Sequence, residues 1–416
     1  MTKLEQLIEE LCPNGVEYHE LGKIAEMQRG TSITKKNVCE GEIPVISGGR
    51  EPAYYCDTFN REGETITVAG SGAGAGYVQY WDRPIFVCDA FSIKGNEQLS
   101  TKYLYYFLTS IQEFIYSTKK GGGVPHVHVS SIEHVQIPVP PLPVQSEIVR
   151  ILDNFTELTA ELTAELTARK KQYEYYRTKL LERPENESKM VSVANLGKWS
   201  GGKTPSTANK EFWENGTIPW ISSKDMKAPT LEDTEDHLTE KALDEGGMAL
   251  LPEGTIAVVT RSGILKHTFP VAYVPFKTTV NQDIKALVVK EGISSRYVFH
   301  ALQAYAENIR KSTKKQGGTV DSLDFQRVLA YEIPVPALDV QNRLVNVLDN
   351  FDAICSDLKI GLPAEIEARK KQYELYREQL LTFAEGGRTI LTDRQTDRQT
   401  DRQTDRQTDR QTDRRV

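Results

Sequence analysis

Two long stretches of this chain place an apolar residue at every third or fourth position, and each begins directly after a proline-rich run. In the first, Val144, Ile148, Ile151, Leu152, Phe155, Leu158, Leu162, Leu166, Tyr173, Tyr176 and Leu180 share one helical face. That period predicts an amphipathic helix of about ten turns. A stripe of that length with no cap inside it calls for a partner helix along the same face, as in a coiled coil. The second stretch carries Gly361-Leu362-Pro363. Proline lacks the backbone donor and clashes with the preceding turn, so two helical pieces are predicted there.

The regions before these stretches have a different rhythm. Between residues 16 and 140, short β-branched or aromatic runs are broken by glycine: Glu42–Ile46, Thr65–Ala69, Tyr77–Trp81 and Pro84–Cys88. These read as strands, and Thr101–Ile115 reads as a helix. Residues 190–335 repeat the plan with Thr217–Ile221, Thr255–Val259, Val271–Val274 and a helix from about Arg296 to Ile309. Leu4, Leu7, Ile8 and Leu11 predict a short opening helix that stops at Pro13-Asn14-Gly15. The fold class is α+β. The expected organisation is an N-terminal helix (1–15), a domain (16–140), a spacer (141–187), a second domain (188–335), a second spacer (336–383) and a tail (384–416).

The two halves also share words. Ala168–Leu181 (ARKKQYEYYRTKLL) returns as Ala368–Leu381 (ARKKQYELYREQLL), Leu152-Asp-Asn-Phe155 as Leu348-Asp-Asn-Phe351, and Ile137–Gln145 as Ile333–Gln341. A duplicated unit presents two similar surfaces on a common spacer, which suits reading a target in two pieces better than building one active site.

With these residues, the chain resembles the specificity subunit of type I restriction-modification systems, over about residues 1 to 383. The two ARKKQYE helices carry the likeness, together with Gly201-Gly202-Lys203-Thr204-Pro205, Ile218–Ser222 and Asn281–Lys285. The resemblance implies two target-recognition domains, an internal two-fold pseudo-repeat, and long antiparallel coiled-coil spacer helices. It implies a non-catalytic protein that binds a bipartite double-stranded DNA target. Partners would be two modification (methyltransferase) subunits and restriction (translocase and endonuclease) subunits. No cofactor is expected on this chain; S-adenosylmethionine, ATP and magnesium belong to those partners.

Composition fits an ordinary protein with two cores: 416 residues, 39% hydrophobic and 26% charged. The five cysteines include no C-x-x-C pair, which points to a reducing cytoplasm and away from zinc or disulfide frameworks. No apolar run is long enough for a membrane span. The net charge of −7 runs against DNA binding, which draws on Lys and Arg at phosphates, so basic character must be local. Two loops supply it, Ser117-Thr-Lys-Lys-Gly-Gly-Gly123 and Ser312-Thr-Lys-Lys-Gln-Gly-Gly318. Their candidate phosphate contacts are Lys119, Lys120, Lys314 and Lys315. Candidate base readers lie where matched loops differ: Arg29, Thr31, Lys35, Ser47, Arg50 and Ser71 in the first half, with Lys203, Thr204, Ser222, Lys224, Arg261 and Lys266 in the second.

Other motifs invite other chemistry. Gly197–Thr204 matches the phosphate-binding loop letter for letter, which would make the chain a nucleotide-binding enzyme, but Pro205 at once opposes the helix such a loop requires. Gly70–Gly76 is glycine-rich after a strand, yet a strand-like run follows it, so a tight hairpin is expected and not a dinucleotide site. His126 and His128 alternate without a third metal ligand at a suitable spacing. A plain two-module scaffold is the remaining alternative. The tail repeats Thr-Asp-Arg-Gln five times from Thr392. A tetranucleotide DNA repeat encodes that cycle in any frame, so the tail is expected to be disordered and its gene prone to frame switching, that is, to phase variation.

Overall fold

The computed structural model describes residues 2–33, 39–121, 123–182, 188–315, 320–356 and 359–383; the tail and Lys35 lie outside these. The chain forms two compact units, Met1–Leu162 with Ile366–Val416, and Thr163–Glu365. We call them unit 1 and unit 2.

Unit 1 opens with α1 (Lys3–Leu11), β1 (Tyr18–Glu20) and α2 (Leu21–Ile24). Seven strands follow: β2 (Glu26–Arg29), β3 (Ile43–Ile46), β4 (Tyr54–Cys56), β5 (Thr65–Ala69), β6 (Val78–Trp81), β7 (Phe86–Val87) and β8 (Ala90–Lys94). Helices α3 (Thr101–Ser110) and α4 (Gln112–Ser117) lead to β9 (Gln136–Pro138) and α5 (Leu142–Glu182). An antiparallel sheet runs β2-β8-β5-β6, a mixed sheet runs β4-β3-β7, and β1 pairs with β9.

Unit 2 has the same topology. Its strands are β10 (Lys189–Ser192), β11 (Gly197–Gly201), β12 (Ile218–Ile221), β13 (Asp236–Leu238), β14 (Thr255–Val259), β15 (Val271–Val274), β16 (Thr279–Val280), β17 (Ile284–Val289) and β18 (Glu332–Val335). They order as β11-β17-β14-β15, β13-β12-β16 and β10-β18. The helices are α6 (Glu240–Asp244), α7 (Ser295–Ala304), α8 (Ala306–Thr313), α9 (Phe325–Ala330), α10 (Leu338–Ser356) and α11 (Leu362–Leu381); the last belongs to unit 1.

The central strands β5 and β14 are buried at all five positions, because each has a neighbour on both edges and packing on its faces. Their Ile and Val are stiff, branched side chains that suit a pleated core. The helix predicted as one piece over Thr101–Ile115 is in fact two. It breaks at Ile111, whose ψ of 23° leaves the helical well. Just beyond, the Gln112 amide is held by the β5–β6 turn, donating to Gly76 O at 2.7 Å and accepting from Val78 N at 3.1 Å. Unit 2 breaks likewise at Tyr305. Pro363 occupies the first turn of α11, where no backbone donor is missed, and α10 ends before it.

One buried glutamine per unit locks domain to spacer. Gln145 accepts from Ser100 N at 2.8 Å and donates to Pro140 O and Gln98 O, each at 2.7 Å. Gln341 repeats this with Ser294 N at 2.9 Å and Pro336 O at 2.8 Å.

Packing moves the expected domain edges at 140 and 335 into the helices. The unit 1 core gathers Ile66, Phe91, Ile93 and Tyr103 with Val144, Ile148 and Leu152 of α5, and with Leu380, Leu381 and Phe383 from the far end of the chain. The unit 2 core gathers Ile256, Val258, Leu287 and Phe299 with Tyr173 and Leu181 of α5, and with Val345 and Leu348 of α10. Each spacer is thus shared between the units, and the division of α5 falls inside its Thr-Ala-Glu-Leu repeat. At equivalent places, Phe155 stacks on Tyr376 in unit 1 and Tyr173 on Phe351 in unit 2.

A polar cluster sits at each of these junctions. In unit 2, fully buried His300 places Nε2 2.7 Å from an Asp349 oxygen, Arg296 pairs with the same carboxylate, and the Tyr173 hydroxyl lies 3.4 Å from Nδ1. Burial pushes the His300 pKa below its ordinary value, against the pull of Asp349. Burial also raises Asp349, but hydrogen bonds from His300 and Arg296 outweigh it and hold that carboxyl below the usual range. Unit 1 builds the same junction with Tyr106 donating to Asp153 at 2.5 Å and Lys102 paired at 2.9 Å.

Candidate nucleic-acid interface

In each unit the loops at one end of the four-stranded sheet meet a lysine-bearing return. In unit 1, Gly70 N donates to Asp89 O and Val127 N to Gly70 O, both at 3.0 Å, while Gly72 N reaches Pro125 O at 3.0 Å. Lys120 and His126 exchange both backbone bonds, at 2.9 and 2.8 Å. The segment after the Lys119-Lys120 pair is therefore stitched to the β5–β6 turn. Gly72 and Gly76 allow that turn through φ values of +78° and +84°.

Unit 2 repeats most of this stitching, although the reciprocal pair of Lys120 and His126 gives way to single bonds, one of them from Asp324 N to Thr313 O at 2.7 Å. Thr260 N donates to Asp283 O at 2.8 Å, Leu323 N to Thr260 O at 2.9 Å, Ser262 N to Asp321 O at 3.0 Å, and Lys315 N to Ser322 O at 2.9 Å. At the neighbouring crossing, Thr31 N bonds Val87 O at 2.9 Å, and Lys203 N bonds Val280 O at 3.1 Å. The register makes Thr31 the counterpart of Lys203, Ser71 of Arg261, and His126 of Ser322. Gly30 and Gly202 precede the crossing, and a Cβ there would strike the carbonyls of Cys88 and Val280.

The predicted residues divide by what they touch. Exposed Arg29 ends β2 and lines a recess of about 310 Å³ with Asp89, His126 and His128. The Ser71 hydroxyl donates to the Asp89 carboxylate. Lys119 lies 4.2 Å from the Tyr116 ring centre and Arg50 lies 5.1 Å from that of Tyr77. Ser47 is half-buried; Thr31, Lys203, Arg261, Lys266 and Lys315 are exposed. Exposed Thr204 donates to the Gln282 side chain at 2.6 Å. Three others are engaged internally. Buried Ser222 donates to Asp225 at 2.8 Å, Lys224 pairs with Asp236 at 2.7 Å and Glu235 at 3.3 Å, and Lys314 pairs with Asp321 at 2.9 Å. Asp236 holds the Lys224 ammonium pKa above its usual value, so that charge already has a partner. Sequence reading passed over Asp89, Asp283 and Lys285; the Asn281–Lys285 motif contains two of them, and the strand register is what aims them here.

The phosphate-loop match fails on geometry. Gly197–Gly201 is strand β11, paired along its length with β17, and the chain directly after Thr204 is not helical. Among the described residues, no cluster of His, Cys, Asp or Glu could hold a metal ion. No helix among them is long and apolar enough to cross a membrane.

A family model described as the type I restriction modification DNA specificity domain matches the chain twice, over residues 13–169 and 185–368. The chain belongs to this family. The specificity subunit of the EcoR124I/EcoR124II type I restriction enzyme from Escherichia coli is 44% identical over 290 residues, 68% of this chain and 70% of that one. Two solved structures share the fold. A type I S subunit from M. genitalium is 17% identical with a TM-score of 0.56, covering 88% of this specificity chain and 96% of the other. A chain from a study of type I complex assembly and conformational transition is 13% identical with a TM-score of 0.60, covering 89% and 98%.

Proposed function

We propose that this chain is the DNA-recognition subunit of a type I restriction-modification complex and catalyses no reaction itself. Unit 1 and unit 2 would each read one half of a bipartite double-stranded target in the cytoplasm. The carrying observation is the shared frame: closely matching backbone bonds at the sheet ends, beside Lys119-Lys120 and Lys314-Lys315, present different side chains in the two units. Lysines contacting the DNA backbone position a protein on phosphates, whereas varied donors and acceptors specify bases. The stacked aromatics of Phe155 with Tyr376 and Tyr173 with Phe351 support a coiled-coil spacer built from α5 with α11 and α10. Two modification subunits would supply S-adenosylmethionine, and restriction subunits would supply ATP- and magnesium-dependent translocation and cleavage.

The test is a domain exchange in the complete complex, read by methylation mapping. Replacing residues 190–335 with those of another family member should change one half of the target and leave the other unaltered. A change in both halves, or in neither, refutes the one-unit-per-half reading. Separately, Lys119→Ala with Lys120→Ala should weaken binding about equally on all sequences. The log–log salt slope should fall by about 0.9 per lost phosphate contact.

A further inference from the structure

Resting on that reading, we infer that the recess bounded by Arg29, Asp89, His126 and His128 is where unit 1 reads a G·C base pair. The frame is common to both units, so its side-chain differences identify the positions left to vary. At the residue after the return strand, unit 2 has Asp324, which caps α9 by accepting from Gln326 N at 3.1 Å and Arg327 N at 3.4 Å. Unit 1 has His128 there. It starts the short helical turn Val129–Ser131 with no side-chain cap bond, and its ring lies parallel to that of His126, centres 6.0 Å apart. The same backbone position therefore serves structure in unit 2 and leaves an exposed ring at the recess in unit 1.

The cation differs in the same way. Arg29 projects from β2 opposite Phe91 on β8. The equivalent of Arg29 on β11 is Gly201, opposite Lys285 on β17, and a Cβ on Gly201 would meet the Lys285 ammonium at 2.6 Å. One cation thus occupies this corner in each unit, carried on neighbouring strands. A guanidinium offers a fork of donors and lysine offers a point charge.

The chemistry of the unit 1 recess is mixed. Arg29 and the imidazole N–H groups donate, and the Asp89 carboxylate accepts. In the major groove guanine shows two acceptors, O6 and N7, and its partner cytosine shows an amino donor. Donors beside one acceptor match that pair. They match A·T less well, since adenine places its N6 amino donor where guanine has O6, and thymine places its O4 acceptor where cytosine has its amino donor.

The experiment uses the full complex and its methylation map. A wild-type map without a split target would defeat the functional reading itself. Given a split target, His128→Ala and Arg29→Ala should each relax one G·C position of one half-site by on the order of tenfold. The other half-site should stay intact and serves as the folding control. Arg261→Ser, at an exposed position of unit 2, should act on that other half instead. Discrimination unchanged at every position, relaxation at an A·T position, or a uniform loss over all sequences would overturn the inference. So would Arg261→Ser and His128→Ala acting on the same half.

Discussion

His300 is the residue whose ionisation most directly touches folding. Its pKa is depressed in the folded state, so the unfolded chain binds the extra proton first as pH falls. Its contribution is complete above the ordinary histidine pKa of about 6.5 and is lost as pH drops below that value. Unit 1 has Tyr106 in the equivalent place. The melting temperature of unit 2 should therefore fall between pH 7 and 5.5, and His300→Tyr should flatten that dependence; a profile identical to wild type would remove His300 from the account. Asp349 acts in the usual carboxylate sense, stabilising above about pH 4 and losing its effect as pH falls through its lowered pKa. Asp349→Ala leaves buried His300 and half-buried Arg296 without their acceptor. It should cost about 2 kcal/mol by denaturant unfolding.

At the scale of elements, α11 belongs to unit 1 although a whole second unit lies between them in the sequence. Leu380, Leu381 and Phe383 are all buried, and the Phe383 carbonyl accepts from the Tyr18 hydroxyl at 2.5 Å. A chain stopped after Phe383 should keep both melting transitions. One stopped after Ser356 should lose that of unit 1, because each buried apolar side chain contributes about 1.5–3 kcal/mol against a total of about 5–15. Survival of the unit 1 transition would show that α11 is only docked. The periodicities made the long helices and the central strands legible, since their apolar spacing is itself the signal. The break at Ile111 was not legible, because a distant turn holds Gln112. Nor was the exchange of Arg29 for Lys285, which exists only through the pairing of Gly201 with a residue on another strand. Lysine pairs were visible in the sequence, but Asp321, which neutralises one of them, was identified only by the fold.

For the whole molecule, the Thr-Ala-Glu-Leu repeat matters because α5 runs unbroken through it and joins residues of one unit to residues of the other. One added repeat lengthens the helix by about 6 Å, just under two base-pair steps of about 3.4 Å. The gap between half-sites should grow by one or two base pairs while both half-sites stay the same. A methylation map with an unchanged gap would place the repeat outside the distance-setting geometry.

Because unit 1 takes residues from both ends of the chain, synthesis order and folding order come apart. On the ribosome its strands emerge first, but Leu380, Leu381 and Phe383 are among the last described residues to appear. Unit 2 needs only the continuous span Thr163–Glu365. The second unit made is then the first that can close its core, while the first waits with an apolar face uncovered. Chains ending at Glu365 and released from the ribosome should show protease protection over unit 2 and little over unit 1, and that exposed interval is where a chaperone would bind.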